Sequence, residues 1–214
     1  AKRIYVGKES FFEEGYDPSK IEIGGRNLIR NSANITNVNS YDGTITITTQ
    51  NFEVEEWNKS DAVRVRTDEG NRTSTMKAYL QYENDLIGDV VGEEHTASIF
   101  VKNLREHPIS CQINGFEGDP SVQLAGYEAK RIVITGIRDT RLLQYQFRTH
   151  HQDHYLEVAV WRPKLEKGNK ATDWTPAPED TDSDIENAKN HAVDLWRYQD
   201  TTYIDGGNIY ADTI

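Results

Sequence analysis

The chain has 214 residues, 36% hydrophobic and 10% aromatic, and its 24 Lys and Arg against 35 Asp and Glu give a formal charge of −11. That length holds one sizeable domain plus extensions, and the aromatic content argues against disorder. The charge disfavours nucleic acid, whose phosphates demand basic patches, and anionic membranes, while no apolar run approaches the roughly 20 residues that span a bilayer.

Residues 1–24 read as an N-terminal arm. Arg3-Ile4-Tyr5-Val6 and Lys20-Ile21-Glu22-Ile23 are short alternating segments on either side of Gly15-Tyr16-Asp17-Pro18, a turn signal. Two strands alone are marginal in water, so the arm is expected to pair as a hairpin or pack on a neighbouring chain.

From 25 to 180 the pattern is one of many short strands. Alternation predicts Thr44–Thr48, Ala62–Arg66, Thr75–Tyr82, His95–Lys102, Pro108–Phe116, Arg131–Arg138, Leu142–Thr149 and Tyr155–Trp161. Turn chemistry separates them at Asp42-Gly43, Glu69-Gly70-Asn71 and Gly118-Asp119-Pro120. Short strands with no strong helical period between them predict an all-β fold, an antiparallel β-sandwich of jelly-roll type. The lone Cys111 alternates with Ile109 and Ile113, which reads as a small core residue and not a nucleophile. It also excludes an internal disulfide framework and a Cys-based zinc site.

Residues 181–214 change character. Asp182-Ser183-Asp184 offers capping side chains for a short helix with an apolar stripe of Ile185, Ala188, Ala192, Val193, Leu195 and Trp196. Thr202–Ile214 then returns to β character, expected as the start of an oligomerising β stem, because an unpaired apolar strand is an aggregation hazard.

Two segments bracket the sandwich. The first is Gly25-Arg26-Asn27-Leu28-Ile29-Arg30-Asn31-Ser32. The second is Lys164-Leu165-Glu166-Lys167-Gly168-Asn169-Lys170-Ala171-Thr172-Asp173-Trp174-Thr175-Pro176-Ala177-Pro178-Glu179-Asp180. Together they resemble the carbohydrate-binding-module-like domains in tail-tip and baseplate proteins of phages of Gram-positive bacteria. The closing Ile204-Asp205-Gly206-Gly207-Asn208-Ile209-Tyr210-Ala211-Asp212-Thr213-Ile214 is similar to the openings of trimeric phage stems and fibres. The resemblance implies a jelly roll at 25–180, a place in the virion at the tail tip or baseplate, and other phage baseplate and tail proteins as partners. It also implies a homotrimer through the C-terminal segment. It requires no cofactor and leaves room for a structural Ca²⁺ held by carboxylates and backbone carbonyls; no EF-hand-like spacing places it, so no metal ligands are assigned.

Leu142–His150 carries the candidate site. Leu143, Tyr145, Phe147 and Thr149 fall on one face of the strand, and Gln144, Gln146, Arg148 and His150 on the other. Planar amides and a guanidinium fork meet hydroxyl pairs in two directions, which is the chemistry of a sugar-binding sheet. An ordinary solvated sheet face is the equal alternative. Gln112 and Asn114, and Tyr79 between Lys77 and Gln81, extend the same trough if their strands are neighbours, and for these the solvated face is the stronger alternative. Trp57, just before Asn58-Lys59-Ser60-Asp61, either stacks on a sugar ring at the rim or packs over a sheet edge, packing being preferred. Trp174 is expected to close the bottom of the sandwich.

His150-His151-Gln152-Asp153-His154 gathers metal-ligand types, yet adjacent strand histidines point to opposite faces and an exposed turn is the better reading. For catalysis there is no G-x-S-x-G elbow, no H-E-x-x-H and no P-loop, and 35 acidic residues make chance carboxylate pairs unavoidable. The chain is therefore read as a non-enzymatic saccharide-binding module attaching a phage to host cell-wall polysaccharide. A structural spacer without sugar binding is the alternative, and an accessory delivering a hydrolase encoded elsewhere in a longer polypeptide is a third. A trough with few aromatics suits a branched or phosphorylated wall polymer, with Arg148 and Lys77 meeting phosphate.

Overall fold

The computed structural model describes residues 24–40, 45–67, 76–83, 91–149, 155–196, 203–205 and 208–210. Residues 1–23 of the arm, and the histidine cluster at 150–154, lie outside them. Strands β1 (Val38–Asn39), β4 (Met76–Tyr82), β9 (Leu143–Thr149), β6 (Ile109–Asn114) and β7 (Ser121–Leu124) make one antiparallel sheet, in that order. Strands β2 (Ile45–Val54), β3 (Lys59–Thr67), β10 (Glu157–Lys167), β5 (Glu94–Asn103) and β8 (Ala129–Ile137) make the other. Most consecutive strands lie in opposite sheets, so the chain winds back and forth across a shared core, the all-β jelly-roll sandwich expected from alternation.

Each strand turns one set of alternate residues inward. Ala78, Leu80, Cys111, Ile113, Tyr145 and Phe147 from the first sheet meet Val63, Val65, Ile99, Val101, Val158 and Val160 from the second. Burying each large apolar side chain contributes roughly 1.5–3 kcal/mol. Cys111 is fully buried among them, and burial pushes its thiol pKa far up, so it behaves as the expected core residue. Tyr145 ties the sheets together: its hydroxyl lies 3.0 Å from the Lys164 carbonyl and 3.3 Å from that of Ser98.

β10 runs further than alternation foresees, because a bulge resets its phase. Trp161 pairs with Phe100 and Lys164 with Ser98, so Arg162 and Pro163 on β10 oppose the single Ile99 on β5. Arg162 in the bulge takes a left-handed φ of 51°. Beyond it Leu165 points into the core, and Lys164 and Glu166 point outward.

The two bracketing sequence segments meet on this outward side and form a clasp. Lys164 Nζ, fully buried, donates to Gly25 O (2.9 Å), Thr172 Oγ1 (2.5 Å) and Asp173 O (2.8 Å). Buried Glu166 accepts from Gly25 N (3.1 Å), Thr172 N (2.8 Å) and Thr172 Oγ1 (2.7 Å), and sits 3.4 Å from Lys164 Nζ. Burial pulls the Lys164 pKa down, and the Glu166 carboxylate opposes that pull. Asn27, also buried, donates to Ser32 Oγ (2.8 Å) and Thr175 O (2.9 Å) and accepts from Ile29 N (3.1 Å). Trp174 does not fill the sandwich. It lies half-buried outside β10, its Nε1 at 3.2 Å from Ser32 Oγ and from Pro163 O, with the Arg162 guanidinium 4.1 Å over its ring.

Helix α1 (Pro178–Trp196) begins four residues before the expected cap at Asp182. Proline is preset for the first helical turn and needs no N–H there, and Glu179 and Asp180 suit the positive end of the helix. Asp180 Oδ2 also accepts from Asn31 N (2.9 Å), and Glu179 pairs with Arg26, so the helix start is tied to the first bracketing segment. Residues 181–190 are exposed. β11 (Tyr203–Asp205) and β12 (Asn208–Tyr210) then pair as a small antiparallel ribbon.

Candidate functional site

The outer face of the first sheet carries polar residues on each of its five strands. Register sets its residues in rows. Asn39, Tyr79, Gln146, Gln112 and Ser121 lie side by side on β1, β4, β9, β6 and β7. Gln81, Gln144 and Asn114 form a row on one side of it, and Met76, Arg148, Ser110 and Gln123 a row on the other. This parity follows from the inward set: once Leu143, Tyr145 and Phe147 face the core, Gln144, Gln146 and Arg148 must face away.

The centre of the face is a floor and not a solvated surface. Gln144 and Gln146 are only 5% and 2% exposed, whereas Tyr79, Gln81, Ser110, Gln112, Asn114 and Arg148 around them are half-buried. A hydrogen-bond relay runs along the floor. Arg148 Nη2 donates to Gln146 Oε1 (2.8 Å), Gln146 Nε2 to Gln144 Oε1 (2.8 Å), and Gln144 Nε2 to Gln81 Oε1 (2.7 Å). Each floor amide keeps a second N–H and a second lone pair, but the relay fixes its orientation. Two buried atoms on the face have no partner among the described residues: Asn114 Oδ1 and Arg148 Nε.

The Asn114 end is held rigidly. Gly115, next in the chain, has φ 102°, and a Cβ there would strike the Leu142 carbonyl and the Arg138 guanidinium. Arg138, fully buried, donates from Nη1 to Gly115 O (2.5 Å) and packs 5.1 Å over the Phe116 ring.

The sequence-predicted residues Gln112, Asn114, Tyr79, Gln144, Gln146 and Arg148 thus share one face. His150 lies outside the described residues, as does the side chain of Lys77. Trp57 does not belong with them. It sits in a short 3-10 turn (Glu55–Trp57) between β2 and β3 and packs on the outer face of the second sheet. There its ring stacks on Trp161 (6.1 Å between centroids, 15°) and meets Phe100 edge-on (5.7 Å). The small Ala62 and Ala159, both fully buried, make room for it, so the packing reading of Trp57 holds and the rim reading is corrected.

Alternation placed Gln81 on the face without making it a site residue, and it missed Asn39, Ser121 and Gln123. Ser121-Val122-Gln123-Leu124 does alternate directly after Gly118-Asp119-Pro120, a usable signal. Val38-Asn39 is too short to show a period. Among the described residues no group of three or more His, Cys, Asp or Glu side chains gathers as a metal site. No helix among them is long and apolar enough to cross a membrane.

No family model matches this sequence, and no curated protein matches it. Among solved structures it is similar to the C-terminal family 22 carbohydrate binding module of Clostridium thermocellum Xyn10B, at 9% identity and a TM-score of 0.46, covering 73% of this chain and 99% of that one. It is also similar to TmCBM61, solved in complex with β-1,4-galactotriose, at 13% identity and a TM-score of 0.45, covering 67% and 99%. The enzymatically active domain of tailspike protein 4 of bacteriophage CBA120 is similar at 15% identity and a TM-score of 0.42; the match covers 66% of this chain but only 21% of that one. Scores and identities of this size leave the fold assignment resting on the chain's own sheet order.

Proposed function

We propose that this chain is a non-catalytic saccharide-binding module of a phage tail or baseplate protein, and that its outer polar sheet attaches the virion to host cell-wall polysaccharide. The observation that carries the reading is the outer face of the first sheet: five strands of amides and hydroxyls, an orienting relay through its buried centre, and Tyr79 in its middle row. Such groups pair with vicinal hydroxyls, and each contact exchanges one hydrogen bond with water for another, so affinity per site is low. Repeated copies raise it by avidity. Trimerisation through the segment after Pro178 fits that requirement, as do neighbouring baseplate proteins as partners. The phage setting rests on the two bracketing segments and the closing Gly206-Gly207 stretch. A structural Ca²⁺ stays part of the proposal without assigned ligands.

One observation favours the spacer as a second reading: the floor amides already satisfy one another. Binding of the purified chain to host cell-wall polysaccharide and to a glycan array separates the two, beside a Tyr79→Ala/Gln112→Ala variant from the half-buried walls. Saturable binding lost in the folded variant supports attachment. Absence of any saturable binding supports the spacer.

A further inference from the structure

In a chain with 35 acidic residues, the three rows of the trough contain none. Among the described side chains they hold amides, hydroxyls and a single cation, Arg148. The outer face of the other sheet is built differently: Arg64 meets Glu157, Lys102 meets Glu56, and Arg162 meets Asp61. Arg148 instead donates to an amide oxygen, and its buried Nε has no partner among the described residues. A guanidinium is a planar fork suited to two acceptor oxygens at once.

The relay adds direction. Every floor amide turns its oxygen toward Arg148 and its nitrogen away, so the cation polarises successive N–H groups and strengthens them as donors. The opposite demand sits at the other end, where buried Asn114 Oδ1 requires a donor. From Gln144 to Arg148 is four residues of strand, about 13 Å, the span of a short oligosaccharide.

We infer that the trough takes an acidic saccharide, its anionic oxygens at Arg148 and a hydroxyl-bearing neutral unit toward Asn114; this rests on the saccharide reading above. The anion is a uronate carboxylate or a phosphodiester, which share the acceptor chemistry the fork recognises.

The test is calorimetric titration of the full chain with matched neutral, uronate-bearing and phosphodiester-bearing oligosaccharides. At low salt at least one acidic ligand is expected to bind roughly tenfold or more tightly than the neutral one, the margin of a charge-assisted hydrogen bond. Added salt should narrow that margin, and the stronger acidic arm identifies the anion. Arg148→Gln should erase the preference. Gln112→Glu, which keeps Arg148 and places a carboxylate on the half-buried wall, should erase it independently, with thermal melts confirming that both variants fold. Equal affinity for neutral and acidic ligands overturns this inference and leaves the saccharide reading standing, as does a preference that survives Arg148→Gln. Failure of all three ligands to bind sinks both.

Discussion

The clasp and the trough are both polar networks carried by β-strands, yet they end in opposite states. In the clasp, Lys164, Glu166 and Asn27 are each fully buried and find backbone partners across more than a hundred residues of sequence. In the trough, the central amides bond to one another and the walls stay half open, with Asn114 Oδ1 and Arg148 Nε left over. A closed network holds a fold together, whereas one with spare donors and acceptors beside an open wall is equipped to meet something else. The most distinctive sequence segments therefore report on how the sandwich closes, and the ligand has to be sought on a different sheet.

The largest expected effect comes from breaking the clasp. Lys164→Met leaves Glu166 charged and buried without its partner, and should cost roughly 3–5 kcal/mol in denaturant unfolding. Adding Glu166→Leu to it should recover part of that loss, because an apolar pair carries no desolvation penalty. Asn27→Ala strands one buried donor and removes two further bonds, for a loss of roughly 1–3 kcal/mol.

Most of the sandwich is legible in the sequence, because alternation decides which face a residue takes. Leu143, Tyr145 and Phe147 fixed the opposite face of β9 in a single step. What stayed hidden has local physical causes. The Arg162 bulge moved Lys164 and Glu166 to the outside, and nothing in periodicity announces a bulge. The helix start moved to Pro178 because a proline that reads as a breaker is also a good first helical residue. Trp57 was resolved only by the tertiary pairing that sets Ala62 and Ala159 beneath it. The depth of Gln144 and Gln146 depends on the flanking strands β4 and β6, both far from β9 in sequence.

Smaller effects sharpen the contrast. Tyr145→Phe, within the core between the two regions, removes a bond to the Lys164 or Ser98 carbonyl and should cost about 1 kcal/mol in the same unfolding assay. On the trough wall, Gln112→Ala should leave stability within about 0.5 kcal/mol while lowering polysaccharide binding, the reverse of the clasp variants. The smallest effect is one of pH. Hydrogen bonding from Lys102 holds the Glu56 carboxyl below its usual value of 4.5. The stability this pair adds is present above that unfolded value and is lost as pH falls through the lower folded one. Lys102→Met should remove this acid dependence in melts recorded on either side of pH 4.5.

The central claim is that the ligand lies on the first sheet and not on the aromatic face of the second. Titrating isotope-labelled protein with fragments of host cell-wall polysaccharide, and following amide resonances, tests it most directly. The account predicts saturable shifts at the side-chain amides of Gln112, Asn114 and Gln146 and at the backbone of β4, β6 and β9, with the Trp57 and Trp161 indole signals unmoved. Shifts centred on those two indoles, or none at saturating fragment, would contradict it.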